Sequence, residues 1–237
     1  MTTDNHRKVY TNSRGERVMR VTEVIKIMAK DQLVTWANML GFKHISYRQE
    51  LERTSNIGSL VHDVLEKYSN KRVLADIDFN AFNVQDYGDR LEVRNALDSF
   101  FKWLEAMKDH RTFNVKFTEL VVVGETLGGT IDCGIEGWKN PDKVIFVDYK
   151  TSKGFYLTQF LQLAAYAMIY EEVYGKDTVE GIMVVILDKK HGDKGQARFI
   201  GAKDLDIFIN CFKFMFNLAV STKMLDSQLL DITQRID

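Results

Sequence analysis

The stretches GGTID (residues 128–132) and VIFVDYKTS (residues 144–152) decide the fold of this chain. The second stretch is apolar until Asp148, which is typical of a central strand covered on both faces. Residues i and i+2 of a strand point to the same face, so Asp148 and Lys150 project together. Asp132 offers a second carboxylate if the two stretches form a hairpin. Two converging carboxylates beside a lysine predict a site for a hard divalent cation, because such ions take oxygen ligands.

The composition indicates one sizeable hydrophobic core. The 237 residues are 45% hydrophobic and fit one domain of ordinary to large size. They contain no run of about 18 apolar residues, so we expect no transmembrane helix, and the N-terminus lacks the apolar segment of a signal peptide.

Cys133 and Cys211 are the only cysteines, which predicts a reduced intracellular protein without disulfides, a zinc site or a cysteine-held iron–sulfur cluster. The net charge of −1 neither indicates nor excludes a nucleic-acid binder, since a basic surface can be local.

The apolar periodicity predicts an α/β protein with helices gathered in its N-terminal part. We expect an arm or loose hairpin in residues 1–20, then helices and strands at the following positions: helices 21–28, 31–40, 48–54, 56–68 and 91–107, strands 115–123, 127–135 and 143–150, helix 157–174, strands 182–187 and 197–200, and helix 204–220. Residues 1–112 form the arm and helices, 113–220 the core sheet with its helices, and 221–237 a tail of frayed helix or disorder. All three parts are expected to form a single compact domain.

Two further residues are candidates for the same site. His62 lies within a predicted helix, where a histidine is either a ligand or an ordinary structural or surface residue. Glu119 shares one predicted face of the first core strand with the apolar residues Phe117, Val121 and Val123. Glu119 is therefore either an additional acid, acting in the site directly or through a water, or an exposed strand glutamate.

Four short motifs in a fixed order resemble one nuclease family. They are G-x-x-x-H at residues 58–62, G-T-I-D at 129–132, D-Y-K-T at 148–151 and Q-x-x-x-Y at 162–166. This arrangement, over about residues 56–170, is similar to the RecB-type branch of the PD-(D/E)xK nuclease superfamily. No proline precedes Asp132, and the missing cysteine quartet separates the chain from the iron–sulfur subgroup. The resemblance implies a restriction-endonuclease-like core, a mixed central sheet flanked by helices, with an N-terminal helical part.

The resemblance also implies a metal site. Asp132 and Asp148 would bind one or two Mg²⁺ or Mn²⁺ ions, together with the backbone carbonyl of Tyr149 and the imidazole of His62. A histidine nitrogen suits Mn²⁺ better than Mg²⁺, since magnesium prefers oxygen. Lys150 would orient the attacking water or stabilise the transition state.

Other residues are expected at the substrate. Gln162 and Tyr166, one helical turn apart, would hold Lys150 or touch the DNA backbone, although Tyr166 could simply pack in the core. The candidates for phosphate contacts share a position after the catalytic strand or in a basic loop, where a solvated hairpin is the alternative. They are Lys153, Gln159, Lys189, Lys190 and Lys194.

The implied function is hydrolysis of DNA phosphodiester bonds. We expect a stand-alone, phage-encoded or prokaryotic exonuclease that acts on single strands or free DNA ends, in the cytoplasm of a bacterium or a phage-infected host cell. A structure-specific endonuclease is the nearest enzyme alternative, since the same core supports it. A DNA-binding module with an inactive nuclease centre is the alternative from another class. The complete set His62, Asp132, Asp148 and Lys150 argues against an inactive centre.

Overall fold

The structure is a computed structural model that describes residues 8–28, 31–71, 73–74, 76–108 and 111–233, without the side chains of residues 31, 32, 108 and 226–233. Its helices and strands follow in this order: β1 (Tyr10–Thr11), β2 (Arg17–Arg20), α1 (Val21–Ile25), α2 (Asp31–Phe42), α3 (Tyr47–Lys71), α4 (Tyr87–Lys108), β3 (Val115–Val123), β4 (Leu127–Glu136), β5 (Val144–Lys150), α5 (Leu157–Tyr174), β6 (Val179–Ile186), β7 (Gln196–Gly201) and α6 (Ala202–Thr233). The predicted core strands and the helix α5 are confirmed.

A mixed sheet in the order β1-β2-β4-β5-β6-β7 forms the centre, and β3 pairs along the other edge of β4. The pairs β4–β5 and β6–β7 are antiparallel, whereas β5–β6 and β2–β4 are parallel. Strand β5 is central and buried up to its last residue, as its apolar run predicts.

Helices cover both faces of the sheet. On one face α1, α5 and α6 pack against inward residues such as Ile131 and Phe146. On the other face α3 and α4 pack against Cys133, Ile145 and Val147. The two apolar layers hold the strands that carry the acidic residues from both sides.

One prediction about helix limits is wrong: the segments 48–54 and 56–68 are one helix, α3, because Ser55 between them does not break a helix. Of the predicted frayed helix or disorder from residue 221, the structure has helix, since α6 continues as far as Thr233, and residues 234–237 lie outside the described residues. Of the predicted arm or loose hairpin in residues 1–20, the structure has a hairpin that turns at Gly15, with a backbone φ of 77°, and joins the sheet through β2. Residues 1–7 of that arm lie outside the described residues.

The paired glycines of the GGTID stretch make room for two tyrosines. A Cβ atom on Gly128 would lie 2.8 Å from Cβ of Tyr10, and one on Gly129 would lie 2.3 Å from Cε1 of Tyr166. Tyr10 is buried, and its hydroxyl is hydrogen-bonded to Oγ1 of Thr130 at 2.9 Å. Strand β4 can therefore lie against β1 and α5 only because these two positions lack side chains.

Helix α6 is long and apolar enough, from Ala202 to Leu225, to cross a membrane by length and composition alone. The segment includes the charged residues Lys203, Asp204, Asp206 and Lys213, so it is not an uninterrupted apolar run, and the expectation of no transmembrane helix stays a prediction. One face of α6 nevertheless belongs to the core, since Leu205, Phe212 and Ala219 are buried at intervals of seven residues in the same cluster as α5. The expectation that the protein has no membrane partner stays a prediction.

We predict that Gly129→Ala lowers the free energy of unfolding by about 1–3 kcal/mol, because the new methyl group overlaps the Tyr166 ring in a closely packed core. Denaturation with urea measures the change. Gly58→Ala is the matched control: its Cβ would lie 3.5 Å from Oγ1 of Thr151, an ordinary contact, and alanine favours a helix by up to about 1 kcal/mol. Equal effects of the two substitutions would contradict this explanation of Gly129.

Candidate active site

The acidic residues lie at a gap along one edge of β4. Strand β5 pairs with this edge from Glu136 as far as Cys133, which is opposite Val147. Strand β2 pairs with the same edge at residues 127–128, because β3 occupies the other edge. Asp132 and Asp148 are the next residues after the last β4–β5 pair, so they face each other where the two strands separate.

Asp148 and Lys150 project from the same face of β5, as predicted. Nζ of Lys150 donates a hydrogen bond to Oδ1 of Asp148 at 2.8 Å, and only 3% of Asp148 is exposed. The neighbouring residues Val147 and Tyr149 point to the opposite face and are buried against α3 and α4. This packing gives the buried carboxyl a defined direction.

His62 reaches the site from α3. Its Nδ1 lies 3.2 Å from Oδ2 of Asp132, and its ring meets the Tyr149 ring edge-on at 6.5 Å between centroids. Elsewhere on α3, the side chains of Leu60, Val61 and Val64 are fully buried and hold the helix against the sheet. The structure therefore brings together the four residues His62, Asp132, Asp148 and Lys150 that the sequence motifs singled out.

Each of these groups shifts the pKa of the others. Burial, with the nearby charge of Asp132, raises the pKa of Asp148 to about 7 despite the opposing ammonium of Lys150. Burial also acts to raise the pKa of Asp132, but the charges of His62 and Lys150 outweigh it and hold that pKa below its usual range. For His62, burial disfavours the charged form, yet the carboxylate of Asp132 outweighs it and raises the imidazole pKa. The site thus keeps Asp132 ionised, whereas Asp148 holds its proton below about pH 7.

The donor set suits a divalent cation. The carboxyl groups of Asp132 and Asp148 lie close enough to shift each other's pKa, and no donor among the described residues bonds the buried Oδ2 of Asp148. Two such groups come together only with a proton or a cation between them. The Lys150 carbonyl accepts from Leu187 on the β6 side, so the Tyr149 carbonyl, one residue earlier, points to the β4 side where the gap is.

A groove of about 1830 Å³ opens over the site. His62, Asp132 and Lys150 are among its lining residues. Helices α2 and α3 form one wall, and the loop after β5, from Thr151 to Tyr156, forms another. The groove connects the acidic site to solvent.

Three predicted catalytic residues behave differently from one another. Glu119 lines the groove beside Asp132, and burial with the charges of Asp132 and Glu66 raises its pKa to about 7. The pKa of Asp148 is raised to the same value, so the ionisation of Glu119 does not by itself separate it from the proposed metal ligands. Tyr166 is 4% exposed and packs against Gly129, so it contacts neither solvent nor a bound backbone. Gln162 donates to the Tyr166 hydroxyl at 3.0 Å, which ties it to that packing.

The predicted phosphate contacts divide into three groups. Lys153 and Lys190 are exposed and line the groove, as a contact to DNA requires. Lys189 also lines it, but its ammonium is paired with Glu92 at 3.1 Å. Lys194 is exposed and is not among the lining residues of the groove.

The prediction for Gln159 is wrong. Gln159 is 7% exposed, and its side chain closes a capping box at the start of α5. Its Oε1 accepts from the Tyr156 backbone N–H at 2.9 Å, and its Nε2 donates to Oγ of Ser152 at 3.1 Å. Both polar atoms are therefore used to hold the β5–α5 loop over the site.

A polar network that sequence reasoning missed supports the groove wall. Arg53 of α3 bonds Glu50 at 2.9 Å, Asp89 at 2.6 Å and Glu92 at 3.1 Å, and Glu92 in turn pairs with Lys189. The network connects α3, α4 and the β6–β7 loop. Only the Glu50–Arg53 spacing of three residues was visible in the sequence; the other partners come from distant segments.

Asn95 of α4 also holds the β6–β7 loop, through Nδ2 to the carbonyls of Lys189 at 3.3 Å and Lys190 at 2.7 Å. In the same loop Asp188, His191 and Asp193 place one donor atom each within 4.8 Å of the others. The Asp188 carboxylate already accepts backbone N–H groups of residues 190, 191 and 193, which explains this cluster as a loop closure. We assign no ion to it.

The geometry agrees with comparisons to known proteins. A family model for the PD-(D/E)XK nuclease superfamily matches residues 38–213, which is well over half of the chain. The chain belongs to the PD-(D/E)XK nuclease superfamily. The predicted resemblance and the predicted restriction-endonuclease-like fold are confirmed.

Solved structures give weaker likenesses. A Eubacterium rectale protein described as a candidate exonuclease aligns with a TM-score of 0.46 and 11% identity over 69% of this chain and 66% of that chain, slightly under two thirds of its length. A protein called SSO0001 aligns with a TM-score of 0.34 and 15% identity over 85% of this chain and 76% of that one. A search of curated proteins finds no match.

We predict that the metal-free protein loses stability as the pH rises from about 4 through 7. The folded-state pKa of Asp148 is raised to about 7, so unfolding releases its proton in this range, at most about 1.4 kcal/mol per pH unit. Urea unfolding with a chelator between pH 5 and 8 measures the slope. Asp148→Asn should reduce the slope by about half, because Glu119, with its pKa also raised to about 7, keeps a similar contribution, whereas Asp142→Asn on the exposed surface should not change it. An unchanged slope in Asp148→Asn would contradict the raised pKa.

Proposed function

We propose that this protein is a divalent-metal-dependent DNA nuclease, most active as an exonuclease on single strands or free DNA ends in recombination, repair or replication. The observation that carries the proposal is the placement of Asp132, Asp148, Lys150 and His62 at the β4–β5 gap, open to the groove. The free cysteines, buried Cys133 and exposed Cys211, fit action in a reducing bacterial or phage-infected cytoplasm.

The metal would be held by the carboxylates of Asp132 and Asp148, the imidazole of His62 and the backbone carbonyl of Tyr149. Three oxygen donors suit Mg²⁺ and Mn²⁺, and the nitrogen donor favours Mn²⁺. Such an ion lowers the pKa of a bound water and neutralises charge that develops on a phosphate. Binding would release the proton from Asp148, since a ligating carboxylate must be ionised.

Lys150 has a different role from the acids. Its ammonium is a quarter exposed and lies on the groove side of Asp148. Burial acts to lower the Lys150 pKa, but the charges of Asp148 and Asp132 outweigh it and raise that pKa, so the side chain stays cationic. A fixed positive charge in a partly dry site stabilises negative charge on the phosphoryl oxygens of the transition state.

The lining of the groove supports a substrate with unpaired nucleotides. Apolar side chains of the α2 wall and of the β5–α5 loop, including Trp36, Met39 and Phe155, line the groove together with the cations Lys153 and Lys190. Single strands expose base faces that stack on aromatic and apolar surfaces, while their phosphates bind lysines. In a duplex the bases are already stacked on each other, so contact with the apolar wall would add little binding free energy.

The decisive experiment compares end-labelled single-stranded DNA, the matching duplex and a closed single-stranded circle, each with Mg²⁺ or Mn²⁺. We expect cleavage of the linear single strand from its end, no cleavage of the circle, and a loss of at least about 100-fold in Asp148→Asn. Cleavage of the circle would instead support an endonuclease. Binding without cleavage in either metal would support an inactive DNA-binding module and overturn the proposal.

We predict that Lys150→Ala lowers the cleavage rate at saturating DNA by at least about 100-fold, because one transition-state stabiliser is lost. DNA affinity at fixed salt should change little, since many distributed phosphate contacts share the binding free energy. Rates and filter-binding affinities measured on the same labelled strand separate the two effects. Lys194→Ala, exposed and outside the groove, is the matched control and should change neither quantity. Equal losses of affinity and rate in Lys150→Ala would make Lys150 a simple phosphate contact.

A further inference from the structure

Glu119 has a left-handed backbone in the middle of a strand. Its φ is 47°, although β3 runs without interruption from Val115 to Val123. For a residue with a Cβ atom this conformation costs free energy, and it persists only where the surrounding structure imposes it. The ladder with β4 keeps its register on both sides, from Thr118↔Cys133 to Leu120↔Ile131, so Glu119 lies opposite Asp132.

The side chains of β3 change face at Glu119. Before it, Phe117 packs with the α5 cluster, and Oγ1 of Thr118 is hydrogen-bonded to Asn70 of α3. After it, Leu120 and Val122 return to the α5 cluster. Glu119 itself lines a small cavity with His62 and Glu66, both on α3. Thr118 and Glu119 therefore point to the α3 face in succession, which breaks the alternation that the sequence pattern predicted.

The side chains of β4 change face in the same way at Asp132, the residue opposite Glu119. Ile131 packs with the α5 cluster, Asp132 contacts His62 of α3, and Cys133 lies in the α3–α4 cluster. Gly134 then lies under Phe117 on the α5 side again. Asp132 and Cys133, like Thr118 and Glu119, are successive residues on one face.

A strand that alternates strictly could not place both residues there. If Cys133 and Ile135 fill the α3–α4 core, the period of two would turn Asp132 away from His62. The change of face at the Glu119–Asp132 pair removes this conflict. Asp132 can thus contact His62 on one side of the sheet and remain beside Asp148 on the other.

We infer that Glu119 is a positioning residue whose left-handed backbone, rather than its carboxyl group, directs Asp132 toward His62 and the gap. The inference rests on the proposed nuclease function for its kinetic consequence, but the backbone role can be tested independently of activity. It also gives a reason for a conformation that the strand would otherwise avoid.

The test uses three substitutions that separate backbone from carboxylate. Glu119→Gly accepts a positive φ and lacks the carboxylate, Glu119→Gln keeps the backbone cost without the charge, and Glu119→Val resists a positive φ. We expect the Gly and Gln variants to turn over DNA at least about tenfold faster than the Val variant, with KM for DNA similar in all three, because small displacements at a reacting centre cost about that much or more. If the Gly and Gln variants lose as much DNA turnover as the Val variant, the carboxylate acts directly and the inference is overturned.

Thermal unfolding provides a readout that needs no activity. At Glu119 the Gly variant should unfold at a temperature equal to or above the original, and the Val variant below it. Val121 of the same strand, 48% exposed and without a positive φ, is the matched control, where Val121→Gly should lower the unfolding temperature. If glycine lowers the unfolding temperature equally at positions 119 and 121, the left-handed backbone does not explain the role of Glu119, and the inference is overturned. If the variants show these differences in unfolding temperature but the unsubstituted protein cuts no DNA, the proposed function fails while the positioning role stands.

Should Glu119→Val not fold, Mn²⁺ titration by calorimetry of the Gly and Gln variants decides the question. A positioning role predicts that both bind Mn²⁺ within about threefold of the original affinity, since Asp132 remains directed to the gap. A loss of tenfold or more in both would assign the carboxyl group to the metal and overturn the inference.

Discussion

The structure depends on the close approach of two carboxyl groups, those of Asp132 and Asp148, inside the protein. Two ionised carboxylates at this distance repel each other, so the site is stable only with a proton or a cation between them. In the metal-free chain the compensation comes from a proton on Asp148, the ammonium of Lys150 and the imidazole of His62. The proposed divalent ion would replace that arrangement, since a cation between the two carboxylates compensates both charges.

The fold supplies the rigidity that this approach requires. Strand β5 is buried on both faces, and β4 is held at its N-terminal half by the close contacts of Gly128 with Tyr10 and of Gly129 with Tyr166. Neither contact leaves room for a methyl group. The strands can therefore separate at residues 129–132 without moving apart elsewhere, and the gap becomes a fixed feature of the sheet.

The groove above the gap is built from parts of the chain with separate supports. The capping box of Gln159 holds the β5–α5 loop, and Asn95 holds the backbone of the β6–β7 loop. Arg53 joins α3 to α4 through acids on both helices. A partly buried network of this kind stabilises one arrangement of its members, because removing any of them leaves charges unpaired. The walls of the groove should accordingly keep their spacing when a ligand binds.

The sequence by itself determined the core strands, helix α5 and the pairing of Asp148 with Lys150, because these follow from local rules: apolar runs, and a side-chain period of two. It also led to His62 and Asp132, through the order of short motifs. Only the tertiary structure decided that β2 joins the edge of β4, that Gln159 is a cap, that Lys189 is paired with Glu92 and that the strands change face at Glu119. Each of these depends on which distant segments become neighbours, and a backbone angle imposed by such neighbours leaves no trace in hydrophobic periodicity.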